Sequence, residues 1–174
     1  MKLVSYLFAL LVLTSVAVSQ TPTQPAASVQ MSPEKWRDDL KYLATQIERT
    51  HKNVYHTVSR EEFASAVSSL DARLATLEDH QVVVEIMKIV ALIGDGHTGV
   101  RWGMIASSGV LPVAFYVYED GVFVQKAASE MSAIVGGKVV KVGNASINEA
   151  VEKLKPYMWR DNEMGVKSAL PYYL

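Results

Sequence analysis

VVVEIMKIVALIGDGHTGV, Val82 to Val100, is the stretch in which the chain changes periodicity. Through Ile93 the apolar residues Val82, Ile86, Ile89, Val90 and Ile93 recur every three or four positions, which places them on one face of a helix. Gly94 stops that helix, because glycine adopts the left-handed conformation that closes a helical C-terminus. Beyond the glycines the pattern has period 2: Leu111 to Tyr118 and Val122 to Ala127 read as strands joined by Glu119, Asp120 and Gly121, a hairpin signal. Helices first and strands afterwards make the predicted class α+β.

Upstream of this junction two further helices are expected. Ser32 is an N-cap with Pro33 at the first helical position and Glu34 in the first turn, and Trp36, Leu40, Leu43 and Ile47 follow at helical spacing as far as His51. A polar loop, HKNVYHTVS, leads to Ser59, which forms a capping box with Glu62. Phe63, Val67, Leu70, Leu74 and Leu77 are the buried stripe of that second helix, and the third starts after Asp79. Helices of this length are marginal alone, so residues 32–97 are expected to form an N-terminal helical bundle.

Downstream, a short strand is expected at Lys138 to Val142, after Gly136 and Gly137. Ser146 with Glu149 is another capping box and starts a helix carried by Ile147, Val151 and Leu154. Residues 98–157 therefore form a β-rich segment. Asp161 or Asn162 caps one more helix, in which Pro171 and the apolar residues around it stand near Leu174. A finished domain seldom stops on an uncovered apolar helix, so residues 158–174 read as a truncated C-terminal helix, the start of a region that the chain lacks.

The first charged residue after Lys2 is Glu34. Lys2 followed by the apolar run Leu3 to Val18 is a secretory signal peptide over residues 1–19: the run is shorter than the roughly 20 residues that a bilayer span needs, and Ala17 and Ser19 suit signal peptidase. Residues 20–31, QTPTQPAASVQM, read as a flexible linker. The expected location is exported, periplasmic or extracellular. Loss of Lys2 with the signal takes the formal net charge from −1 to −2, which leaves no basic excess for nucleic acid and no polybasic stripe for a membrane surface. There is no cysteine, which excludes disulfides, thiolate metal sites and a cysteine nucleophile.

His97 is the best candidate acid or base, because histidine titrates near neutrality and the Gly94–Thr98 turn, between scaffold elements, positions it. On the residues alone a plainer reading is favoured, in which Gly94 is a helix cap, Asp95 and Thr98 satisfy turn amides and His97 packs against Trp102. Ser65, Ser68 and Ser69 on a helix, Ser107 and Ser108 before Gly109, and Ser129 and Ser132 around a turn read as solvated or capping hydroxyls. No nucleophile is identified among them, although Ser107 and Ser108 stand nearest His97. His51 and His56 share a loop and His80 begins a helix, but no carboxylate at helical spacing completes a ligand set, so neither a metal nor a cofactor is expected.

Trp36, Leu40 and Leu43, the loop with His51, Asn53 and Tyr55, the run IGDGHTGV from Ile93 to Val100, LPVAFYVYEDGVFVQKA from Leu111 to Ala127 and IVGGKVVKVGNASINEAVEKLKPY from Ile134 to Tyr157 together carry a resemblance. The chain resembles the N-terminal part of the tail-specific, C-terminal-processing serine peptidase family, whose relatives include the tricorn core protease and the interphotoreceptor retinoid-binding protein. The resemblance implies that residues 98–157 are PDZ-like, a module that accepts a peptide C-terminus. It also implies that His97 matches the histidine of a serine-based tetrad, that the substrate is a peptide or protein, and that the serine nucleophile lies in a C-terminal catalytic region. Two functions stand as expectations: part of an exported serine-type peptidase, inactive alone, or a non-catalytic exported module that binds a peptide or another ligand. The mature protein is expected to begin at Gln20, and N-terminal sequencing of secreted material checks this; Met1 retained in a membrane fraction would contradict it.

Overall fold

The computed structural model of the protein describes residues 30–100 and 111–174, so the expected signal peptide, nearly all of the linker, Trp102, Ser107 and Ser108 lie outside the described residues. The α+β class holds: helices α1 (Pro33–Thr50), α2 (Arg60–Asp71) and α3 (Asp79–Ala91) are followed by a hairpin of β1 (Val113–Tyr118) and β2 (Gly121–Ala127). The chain then forms β3 (Lys141–Val142) and β4 (Ala145–Ser146), α4 (Ile147–Leu154) and α5 (Glu163–Ala169).

Local chemistry starts each helix as the sequence predicts, with one substitution of roles. Ser32 accepts a hydrogen bond from the Lys35 amide, and Ser59 and Ser146 close capping boxes with Glu62 and Glu149. At α3 the box is made by Glu78 and Gln81 instead. That frees the carboxylate of Asp79 for a longer reach: Trp36 Nε1 donates to it at 2.6 Å, and the Met31 amide donates at 3.0 Å. The start of α1 is thereby tied to the start of α3.

Two helices are shorter than their apolar spacing suggests. α2 stops at Asp71, and Leu74 belongs to a separate 3-10 turn, Leu74–Thr76. The Arg73 amide bonds three residues back to Leu70, and the Thr76 hydroxyl donates to the Arg73 carbonyl, which tightens the chain. α3 stops at Ala91, after which the amides of Leu92, Ile93 and Gly94 each reach back three residues in the same way. The burial pattern survives both breaks, because Leu74 and Ile93 still lie in one core with Leu40, Val54, Val58, Phe63, Leu70, Val82 and Ile89.

The hairpin is antiparallel, with Tyr118 opposite Gly121 and an irregularity between Ala114 and Phe115. The single strand expected at Lys138 to Val142 is divided. Gly136, Gly137 and Val139 bond to the backbone of β2, whereas β3 turns away to pair with β4. A second core gathers Val122, Met158, Val166, Ala169 and Leu170, with Phe115, Val117, Ile147, Val151 and Leu154 packed around it.

Of the two caps expected for the C-terminal helix, Asn162 is the one used, accepting from the amides of Met164 and Gly165. The expectation of an uncovered apolar helix is corrected: Val166, Ala169 and Leu170 are buried, and Tyr173 donates its hydroxyl proton to the Tyr157 carbonyl at 2.8 Å. Burial among desolvating neighbours pushes that phenol up to about 12.

Leu74 lies outside any α-helix yet is only 2% exposed. Leu74→Ala is therefore expected to lower the unfolding free energy by about 2–5 kcal/mol, as for a helical core leucine. The exposed Tyr42→Ala on α1 is expected to stay within about 0.5 kcal/mol of the parent. Urea denaturation of the two variants checks the contrast.

Candidate functional site

The segment after α3 is forced to turn at once. Gly94 has a φ of +69°, and a Cβ there would stand 2.6 Å from Thr57 Oγ1, so both backbone and neighbour demand glycine. The Thr57 hydroxyl is that close because it donates to the Ile93 carbonyl at 2.6 Å, with the Leu92 carbonyl 2.9 Å away. One side chain from the 51–59 loop thus occupies carbonyls left open at the end of α3.

Asp95 is the centre of this turn. Its Oδ1 accepts from the His97 amide at 2.8 Å, and its Oδ2 accepts from the Thr98 hydroxyl at 2.9 Å and from His51 Nε2 at 2.8 Å. The Asn53 amide donates to His51 Nδ1 at 3.2 Å, which assigns the ring proton to Nε2 and makes His51 a donor to the carboxylate. These bonds hold the Asp95 carboxyl well below its ordinary value, at about 2: the His97 amide contributes most, then His51, against a smaller opposing effect of burial, with Thr98 adding to the lowering. His56 stacks parallel to His51 at 6.4 Å and sets its Nε2 3.3 Å from the Gly94 carbonyl.

The two histidines near Asp95 are treated oppositely. The His51 side chain is 15% exposed and both ring nitrogens are engaged. The His97 side chain is 96% exposed, and its Nδ1 stands 3.8 Å from Asp95 Oδ1, beyond hydrogen-bonding distance. Its main-chain amide is held, and its ring makes no hydrogen bond to a described residue. Of the plainer reading drawn from sequence, the cap at Gly94 and the turn amide satisfied by Asp95 are present. The packing of His97 on Trp102 lies outside the described residues.

A shallow depression of about 180 Å³ adjoins the ring, lined by Gly96, His97, Gly99, Val100 and Trp159. Among the described residues no serine hydroxyl is hydrogen-bonded to a histidine or lysine; Ser59, Ser129 and Ser146 each bond a glutamate, and Ser32 accepts from an amide. No cluster of three metal-ligating side chains occurs among them. Sequence reasoning located the turn and His97 but missed His51, whose partner lies 44 residues away, and Asp161, whose partner lies 65 residues away. Only the paired His51–Asn53–Tyr55 and GDGHT runs hinted that the two loops belong together. No family model, curated protein or solved structure matches the chain.

Because the folded Asp95 carboxyl titrates below its ordinary 3.8, its contribution to stability is complete above about pH 4 and is lost as pH falls through about 2. The depression corresponds to at most about 2 kcal/mol. Asp95→Asn turns an amide N–H toward the donors on His51 and Thr98, and is expected to cost about 1–3 kcal/mol at pH 7. That difference from the parent should shrink toward pH 2. Denaturation curves collected from pH 7 to pH 2 check both the cost and its sign.

Proposed function

We propose that this chain is the N-terminal portion of an exported serine-type peptidase of the tail-specific family, with His97 as the acid/base of peptide-bond hydrolysis. The single observation that carries the reading is the contrast at the Asp95 turn: a His97 main-chain amide held by a carboxylate that also accepts from the Thr98 hydroxyl and His51, and an imidazole left 96% exposed. A histidine used only for structure is engaged, as His51 is. A histidine that must meet a substrate and a nucleophile needs a rigid mount and an open face.

In this reading a serine from a C-terminal catalytic region attacks the scissile carbonyl while His97 takes the hydroxyl proton, and His97 then returns that proton to the leaving amine. Asp95 stabilises the imidazolium in between, because its carboxylate is ionised at all working pH values and stands 3.8 Å from Nδ1. The depression beside the ring, floored by Trp159 and backed by glycines, offers the approaching peptide a place. The helices α1–α3 are the N-terminal bundle of such an enzyme. The hairpin, the 136–139 run on β2 and the capped α4 follow in the order of a PDZ-like module for a peptide C-terminus. No cofactor is required, and the partners are peptide or protein substrates.

Residues 20–174 purified alone are expected to hydrolyse no peptide above background. In the full-length gene product His97→Ala is expected to lower kcat by on the order of 10²-fold or more while the melting temperature stays within about 2 °C. Peptidase assays alongside thermal melts decide; unchanged hydrolysis in the variant would remove His97 from the acid/base role, and no hydrolysis by the parent gene product would leave a non-catalytic binding module as the better description.

A further inference from the structure

The turn that carries His97 is held from a second direction. Asp161 Oδ1 accepts a hydrogen bond from the Gly96 amide at 2.6 Å, across 65 residues of chain. Its other oxygen would stand 2.6 Å from a Cβ on Gly96, so the carboxylate lies flush on the backbone immediately before His97. Two residues beyond His97, the Trp159 ring lies against Gly99, where an added Cβ would meet Trp159 Cε3 at 3.0 Å.

The segment that supplies both contacts is stiff. Met158 is fully buried, Arg160 Nη1 donates to the Lys155 and Met158 carbonyls at 2.7 and 3.2 Å, and Asn162 caps α5. Trp159 packs on Tyr173 with ring centroids 5.4 Å apart. The platform is therefore assembled only when α5 and the residues after it are docked in the second core.

We propose that Asp161 is the positioning residue for His97, and that through it presentation of the imidazole depends on docking of the 158–174 segment. This rests on the acid/base reading of His97 and adds its control: Asp95 braces the turn from within the helical half, and Asp161 braces it from the other half.

The test is nuclear magnetic resonance of the mature chain carrying Asp161→Ala or Asp161→Asn. In Asp161→Ala the Gly96 amide is expected to exchange roughly tenfold faster or more, and the His97 main chain to gain backbone mobility, while the amides of α1 to α3 keep their protection. Asp161→Asn retains an acceptor oxygen and should restore both to within about threefold. An unchanged Gly96 amide, or a freed amide with His97 unaffected, overturns the proposal. Should Asp161→Ala fail to fold, Gly96→Ala displaces the carboxylate from the other side and must loosen the His97 main chain equally; an unchanged His97 main chain there also overturns it. The functional reading is separable. If His97→Ala spares hydrolysis in the full-length gene product while Asp161→Ala loosens the His97 main chain, catalysis falls and positioning stands. If His97→Ala abolishes turnover while Asp161→Ala changes neither kcat nor the His97 main chain, positioning falls.

Discussion

A carboxylate accepts several hydrogen bonds and donates none, and the bend after α3 is built on that property of Asp95. Three donors from two loops converge on its two oxygens: an amide, a hydroxyl and an imidazole. Replace the acceptor and the donors face one another, so the 51–59 loop and the 94–98 turn lose their common point. The arrangement also divides labour between side chains of one type. His51 is spent on holding the carboxylate, and His97 contributes only its main-chain amide to that task, which leaves its ring for other use.

The two cores meet through a narrow seam. α3 packs on the 3-10 turn Lys155–Tyr157, and the 94–99 backbone rests on Trp159 and Asp161. Besides that packing, a directional polar contact from the Gly96 amide to Asp161 crosses the seam, and Gly99 permits the close approach of Trp159. A site placed on such a seam takes its geometry from both halves, whereas a site inside either core would take it from one.

What was legible in the sequence is what local chemistry decides. Ser32, Ser59 and Ser146 cap helices because their partners are three residues away, and Glu119–Gly121 turns the hairpin because the loop itself sets the turn. The choice between Asp161 and Asn162 as the cap of α5 was undecidable locally, since either residue type serves. Asn162 caps, while Asp161 is engaged by Gly96, far up the chain. Asp79 is the same case: it sits at a helix start, yet its carboxylate is claimed by Trp36 and Met31, and Glu78 caps in its place. For the candidate site, the glycines and His97 were readable as a turn bearing a titratable group. The pairing of Asp95 with His51 was not, because a contact across 44 residues leaves no spacing to count.

The same separations in sequence set an order of assembly. The helical core closes from neighbouring segments, and the His51 to Asp95 contact completes within it as soon as the turn has been made. The contact of Asp161 with Gly96 spans 65 residues and needs a segment that packs in the second core, so it cannot close before that core has begun to form. His51 and Asp95 both precede the segment that fixes Gly96, so a chain made from its N-terminus holds the first anchor of the turn complete before it holds the second.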